Sequence, residues 1–449
     1  LEMGLKRCAQ RQQQRAAKGD LPLLSLQEVP TLQMLEKSMR NAKRNRGTGI
    51  DAIPDELYAA LPSEIAKYTY PLLLKMHTTC SEPYSFKGGW QAAIWKGKGL
   101  INSKLSFRQI LIEDCLAKKF RRAHRELLMH AAKDYFMPLQ CGGRKGLGTD
   151  IASHAAMLFS KVAKHVGVSS GKLYIDIVAA YYTTLRELVV QKASGPSNWT
   201  KMAKSFKIED AAVEKLAQIL EMATAMQDMG ASDHLQSFTA EILSDTWCVM
   251  PGCHQVSHTR RGTRPGDPIA DLLFCIVLVP IVKRLRACLD VVEDFVHLSW
   301  DGKKTAELSG DQHKEEAFLD ISLADDLVLM VTTQHPEQLE SKLQKVSAIA
   351  IDTFIEHGLD INLSEHKTEL VLAFRGRGAM PCRRKVHIDQ GGKVTIESKY
   401  KGSCLINVAL EYKHLGTWTN EQCTMRQNIS EGLAKANAAF RPLQQKVLA

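Results

Sequence analysis

The chain has no Cys-X-X-Cys pair, no secretory leader, no internal repeat and no low-complexity tract. These absences bear on the class of protein to expect. The eleven cysteines are scattered, which suits free thiols in a reducing compartment and not a disulfide framework. Long apolar runs are missing as well. The longest, Leu272 to Val282, is interrupted by Pro280 and falls short of the roughly 20 residues that a membrane-spanning helix requires. It reads as a buried core helix, so no membrane partner is expected. The chain opens on Leu, not Met, and without a leader it reads as a fragment of a longer protein.

What is present describes a globular protein of more than one subdomain. There are 449 residues, 45% of them hydrophobic and 24% charged, enough to bury a large core. The net charge is +10, from 59 Lys and Arg against 49 Asp and Glu. That sign favours an anionic partner such as nucleic acid, although a merely basic surface produces it too. Cys248, Cys253, His254 and His258 have the composition of zinc ligands. The adjacency of Cys253 and His254 suits a tetrahedral site badly, and the stretch reads more easily as a hairpin turning at Pro251-Gly252.

Periodicity supplies the elements. Helices are expected over Leu5 to Ala17, Leu26 to Ala42, Leu57 to His77, Val213 to Met229 and Met425 to Ala449. Another is expected over Ile110 to Leu128, with Lys118, Lys119, Arg121, Arg122 and Arg125 on one charged face. Pro336 to His357 carries an apolar stripe at Leu339, Leu343, Val346 and Ala350, with Pro336 suited to the first turn and Gly358 to the stop. Strands and helices mix without regular alternation, which argues for an α+β fold.

Three segments bear acids in positions that ask for a reason. Asp320-Ile321-Ser322-Leu323 and Leu327-Val328-Leu329-Met330 flank the adjacent Asp325 and Asp326, where a tight turn between two strands belongs. Neighbouring carboxylates raise each other's pKa, and a hard divalent cation relieves the repulsion. Asp176 ends the apolar strand Leu173 to Val178, and a charge there needs a partner. Arg261-Gly262-Thr263-Arg264-Pro265-Gly266-Asp267-Pro268 is a glycine-punctuated loop that leads into the apolar helix.

Taken in order, the Asp176 strand, RGTRPGDPIADLLF (261–274) and SLADDLVLM (322–330) resemble motifs A, B and C of reverse transcriptases, closest in flavour to non-LTR (LINE-type) retrotransposon enzymes. Further segments resemble that family in the same order: RNRGTGIDAIPDELYAALP (44–62), WQAAIWKGKG (90–99), SFRQILIED (106–114), QCGGRKGLGTD (140–150), GLDINLSEHKTEL (358–370) and the primer-grip-like EYKHLGTW (411–418). The likeness covers about residues 40–449.

The resemblance implies a right-hand polymerase fold with an antiparallel palm sheet flanked by helices. Residues 1–40 would be a basic helical extension, 41–170 fingers, 171–385 palm, and 386–449 the end of the palm with the primer grip and the start of a partial thumb. It implies RNA-directed DNA polymerase activity, with an RNA template, a DNA primer and deoxynucleotides as partners. Asp176 and Asp325, supported by Asp326 and the main-chain carbonyl of Ile177, would hold two magnesium ions, manganese being the alternative. Lys367 would be the general acid for pyrophosphate. Lys96 or Lys98 and Arg108 would grip the triphosphate, Tyr181 would exclude a 2′-hydroxyl, and Gly266 would let nucleotide and template approach the helix backbone. The family's setting implies a ribonucleoprotein in cytoplasm and nucleus, with the nucleus for integration.

Two departures stand out. Pro265 replaces the family's usual Gln, and Leu323 replaces the usual aromatic residue before Ala-Asp-Asp. Two other readings remain at this stage: an inactive truncated copy that still binds RNA, and a protein like the group II intron maturases.

Overall fold

The computed structural model describes residues 1–19, 21–97, 99–103, 106–190, 210–253, 255–289, 297–299, 315–317 and 320–447. The chain forms two compact units. The first comprises Leu1–Met137, Ala179–Ile281 and Glu356–Leu359; the second comprises Pro138–Val178, Val282–Ile355 and Asp360–Ala449. Both mix helices with sheet, so the fold class is α+β.

In the first unit, β1 (Gly88–Trp95), β2 (Phe107–Glu113), β4 (Trp247–Val249) and β5 (Val256–His258) form a sheet in the order β2-β1-β4-β5. β4 and β5 are the hairpin expected around Pro251-Gly252. The expected helix Ile110 to Leu128 is divided. Ile110 to Glu113 belong to β2, paired with β1 from Trp95↔Phe107 to Gly89↔Glu113, and the helix runs Cys115–Ala131. The strand wins because every residue of 107–113 has a cross-strand partner on β1, a gain invisible in local sequence.

The charged face assigned to that helix also needs correction. Lys119 and Arg121 are 0% and 1% exposed. Lys119 pairs with Asp55 at 2.6 Å, and Arg121 reaches Glu82, Glu113 and Asp267 at 2.9, 2.7 and 2.6 Å. At 100° per residue the five positions cover an arc of about 160°; Lys118, Arg122 and Arg125 at its centre are partly exposed, and Lys119 and Arg121 at its two edges are buried by their ion-pair partners. Three other expected helices are interrupted. Leu26 to Ala42 resolves into a 3₁₀ turn, Leu26–Glu28, and a helix, Leu32–Arg40, capped by Thr31. Leu57 to His77 becomes Asp55–Ala60 and Pro62–Thr78. Val213 to Met229 becomes Asp210–Glu221 and Ala225–Asp228, with Thr224 capping the second. The apolar run is the helix Ala270–Cys288, in which Leu272 through Val279 are all buried.

The second unit is built on β3 (Ser169–Asp176), β8 (Asp320–Leu323), β9 (Asp326–Thr333), β10 (Glu369–Ala373), β11 (Lys393–Ser398) and β12 (Gly402–Val408). Their order is β11-β12-β10-β3-β9-β8, antiparallel except between β10 and β12. Two small pairs accompany it, β6 (His297–Ser299) with β7 (Glu315–Ala317) and β13 (Glu411–His414) with β14 (Thr417–Asn420). The helix Thr149–Val166 packs Ala152, Ala156 and Phe159 against Tyr174, Ile321, Val328 and Met330. The helix Pro336–Glu356, close to its expected limits, buries Leu339 and Leu343. Leu343 approaches so closely that a Cβ on Gly171 would lie 2.3 Å from it. β3 is thereby buried along its length up to Asp176, where the burial ends.

Candidate active site

The second unit holds five of the expected residues, Asp176, Ile177, Asp325, Asp326 and Lys367. β3 and β9 run antiparallel in a register that makes Asp176 and Asp326 direct partners, the last pair of that ladder. β8 and β9 close a two-residue hairpin with Leu323 opposite Asp326, leaving Ala324 and Asp325 as the loop. Only the first loop residue has positive φ, Ala324 at 57°, the pattern of a type II′ turn, which usually takes glycine there. An alanine held left-handed costs about 1–2 kcal/mol. The strain lies directly beside the two acids.

Asp176 does not stand unaccompanied. Lys367 Nζ donates to one of its carboxylate oxygens at 3.1 Å, and Asn362 Nδ2 donates to the other at 3.1 Å. The backbone N–H of Asp176 donates to the Thr368 hydroxyl at 3.1 Å. The Tyr412 hydroxyl donates to the Lys367 carbonyl at 2.9 Å and so holds the lysine's own backbone. Ile177 lies opposite Ile361, flanked by the bonds Val178 N–H to Asp360 and Asn362 N–H to Asp176. In such a narrow pair the N–H and C=O of Ile177 point away from 360–362, to the β9 side of the strand.

Electrostatics mark the same spot. The Asp326 carboxyl is pushed up to about 6, first by burial, then by the charges of Asp325 and Asp176, while Lys367 pulls it down. Among the described residues, no three His, Cys, Asp or Glu side chains already converge as a finished metal cage. The donor set nevertheless suits a hard divalent cation: oxygen ligands in mutual repulsion, one of them driven toward its neutral form.

The remaining expected residues lie in the first unit. Tyr181 is half-buried, its ring 5.3 Å from that of Phe274. With Gln91, Arg261, Gly262, Arg264 and Pro265 it borders a cavity of about 50 Å³ that opens to solvent. The loop grips the Tyr181 segment by its backbone: Gly262 N–H donates to Thr184 and Thr263 N–H to Tyr181, at 2.8 and 2.7 Å. Below it, Arg264 is buried against Glu113, which also takes Arg121. Gly266 has φ 113°, and a Cβ there would meet the Leu111 carbonyl oxygen at 2.1 Å. The close approach that Gly266 permits is therefore that of β2, whose Leu111 N–H donates to Pro265 at 2.8 Å. Arg108 projects from β2 opposite Ile94 and is exposed, as is Lys96. Lys98 lies outside the described residues, and so does His254.

Asn362, Thr368 and Tyr412 were not singled out by sequence reasoning. Their segments were, but Asn362 and its partner Asp176 are 186 positions apart, and nothing local announces the contact.

No helix among the described residues is long and apolar enough to cross a membrane. No protein-family model matches the chain, and no curated protein matches it. Among solved structures it is similar to the structure of apo telomerase from Candida tropicalis truncated from the C-terminal domain, at 12% identity and a TM-score of 0.37. The match covers 72% of this chain and 57% of that one, little more than half its length. A likeness this low bears no weight on activity.

Proposed function

We propose that the chain is an RNA-directed DNA polymerase of the retrotransposon type, transferring nucleotides from deoxynucleoside triphosphates to a primer 3′-hydroxyl on an RNA template. The observation that carries this reading is the pairing of Asp176 with Asp326 beside a hairpin tip bearing Asp325. Chain segments about 150 residues apart in sequence deliver carboxylates to one strand end, an arrangement costly without a cation.

Asp176, Asp325, Asp326 and the carbonyl of Ile177 would hold magnesium. When bound, the ions supply Lewis acidity to the attacking hydroxyl and to the departing pyrophosphate. The chain's own residues do the rest. Asn362 and the Thr368 hydroxyl fix the Asp176 strand end, so the carboxylate is presented in one orientation. Lys367, held by Tyr412 through its backbone, donates to that carboxylate and would be the group that protonates a leaving phosphate oxygen. Tyr181 would exclude a 2′-hydroxyl, and Arg108 and Lys96 would contact phosphate as fork and point charge. The fingers, palm and thumb boundaries given above belong to this reading.

The test is primer extension on an RNA template with magnesium and deoxynucleotides. The wild type extends the primer, and Asp325→Asn, still folded by circular dichroism, does not. Equal extension by that variant ends the proposal. A second reading, RNA binding without catalysis, draws on the engagement of Asp176 by Lys367. It predicts retained RNA binding with no extension by either protein.

A further inference from the structure

Lys172 lies in the interior of β3 and is 4% exposed. Its cross-strand partners are Met330 and Val371, so no acid faces it on either side. Among the described residues its ammonium makes no ion pair; its companion is the Tyr174 ring, 5.7 Å to the centroid. That ring is stacked on Tyr412, 4.2 Å between centroids, which holds it in place. The side chain is packed along most of its length, its ammonium has no anion, and a single ring face compensates for that only in part.

Two clefts of the second unit meet at this lysine. The first is narrow, with room inside for about one water, and lies between the helix Thr149–Val166 and residues 418–425, with Ser160, Lys161, Asn420 and Thr424 on its walls. The second, equally narrow, is bordered by Ser170 and Glu421. Glu421 makes no ion pair with the lysine; its carboxylate is held by Arg383 at 2.5 Å. The Thr424 hydroxyl accepts from Asn420 Nδ2 at 2.9 Å and keeps its own proton to donate. Lys161 is exposed at the rim.

We propose that Lys172 forms the floor of a binding site for a phosphate-type oxyanion. One oxygen reaches the ammonium at the narrow inner end, and the rest of the tetrahedral group lies at the mouth beside Lys161 and Thr424. Both lysines supply charge, Lys172 from the inner end and Lys161 from the rim. The source is either a free phosphate or a phosphate of a nucleic-acid backbone. The site stands without the polymerase reading, since it involves neither the aspartates nor a metal.

The test uses the full chain without divalent metal, as wild type and Lys172→Met, in two assays. Melting is followed in inorganic phosphate against chloride at matched ionic strength, and binding of a labelled RNA·DNA duplex is followed by anisotropy across a salt series. If free phosphate is the ligand, it raises the wild-type melting temperature by about 2–4 °C and leaves Lys172→Met unmoved. If backbone phosphate is the ligand, Lys172→Met weakens duplex binding about fivefold and lowers the salt slope by about 0.9. Wild type and variant alike in both assays means that Lys172 is a structural cation, and the proposal fails. Should Lys172→Met not fold, Lys161→Ala replaces it: a reduced response in either assay supports the site, and unchanged responses in both overturn it.

Discussion

Asp176 and Asp326 face each other as the final pair of the β3–β9 ladder. Paired residues in an antiparallel sheet hold their Cβ atoms about 5 Å apart, so two carboxylates are forced into company by backbone hydrogen bonding alone. The rest of the candidate site is arranged around that pair: Asp325 one residue away at the turn, Lys367 and Asn362 on the Asp176 oxygens.

The pair makes the metal-free protein sensitive to pH. Asp326 has a folded-state pKa raised from 3.8 to about 6, while the unfolded chain keeps an ordinary aspartate. Between those values the folded state retains a proton that the unfolded state has released, so the group's stability contribution is present below pH 4 and lost as pH rises through 6. Asp326→Asn removes the penalty. Urea unfolding without metal should find the variant about 1–3 kcal/mol more stable than wild type at pH 7 and equal to it near pH 4. A wild type at least as stable as the variant at pH 7 contradicts this.

Tyr181 should set sugar selection. Its ring is braced by Phe274 at the edge of an open cavity, so truncation enlarges the space without unfolding the loop. Tyr181→Ala is expected to raise the ribonucleotide-to-deoxynucleotide ratio of kcat/KM by about tenfold or more. Single-nucleotide incorporation on one template measures it, and an unchanged ratio removes Tyr181 from that role.

Gly266 should be intolerant of any side chain. Gly266→Ala forces a Cβ to within 2.1 Å of the Leu111 carbonyl oxygen at a φ of 113°, and should cost about 3 kcal/mol or more. Gly146 has φ 85° with open space around it, so Gly146→Ala should cost only about 1 kcal/mol. Thermal melts of the two variants side by side decide the matter; similar losses would show that conformation, not the approach of β2, is what Gly266 serves.

Acid should weaken the first unit before most carboxylates titrate. His77 and His124 are buried with Phe238 between α-helical segments, and burial pulls their pKa values down to about 2 and about 3. Unfolded histidines titrate near 6.5, so below that pH the unfolded state takes up protons that the folded state refuses. Stability is present above pH 6.5 and falls as pH drops, at about 1.4 kcal/mol per pH unit for each histidine. Denaturant midpoints at pH 7.5, 6.5 and 5.5 follow it. His124→Gln should flatten the lower limb, and a slope identical to wild type would exclude this origin.

Some of this was legible in local sequence. The alternation and apolar flanks around Asp325-Asp326 announced a hairpin, and β8 and β9 meet there. Pro336, the stripe at Leu339 and Leu343, and Gly358 bounded a helix that runs Pro336–Glu356. The apolar run at Leu272 signalled a helix buried all round. Ile110 to Glu113 misled because their apolar spacing suits a helix face as well as a strand, and pairing with β1 decided between them.

Local sequence, through the periods of 2 and 3.6 and the residues that stop them, determined the elements and which of them end in acids. Only tertiary structure decided that Asp176 takes Asn362 and Lys367, that Arg121 is the centre of a buried ionic cluster with Glu82, Glu113 and Asp267, and that Lys172 is packed into the sheet without an ion pair. The physical reason is range. Backbone preference acts over a few neighbours, whereas the cost of a buried charge depends on which distant side chain the fold brings within hydrogen-bonding distance of it.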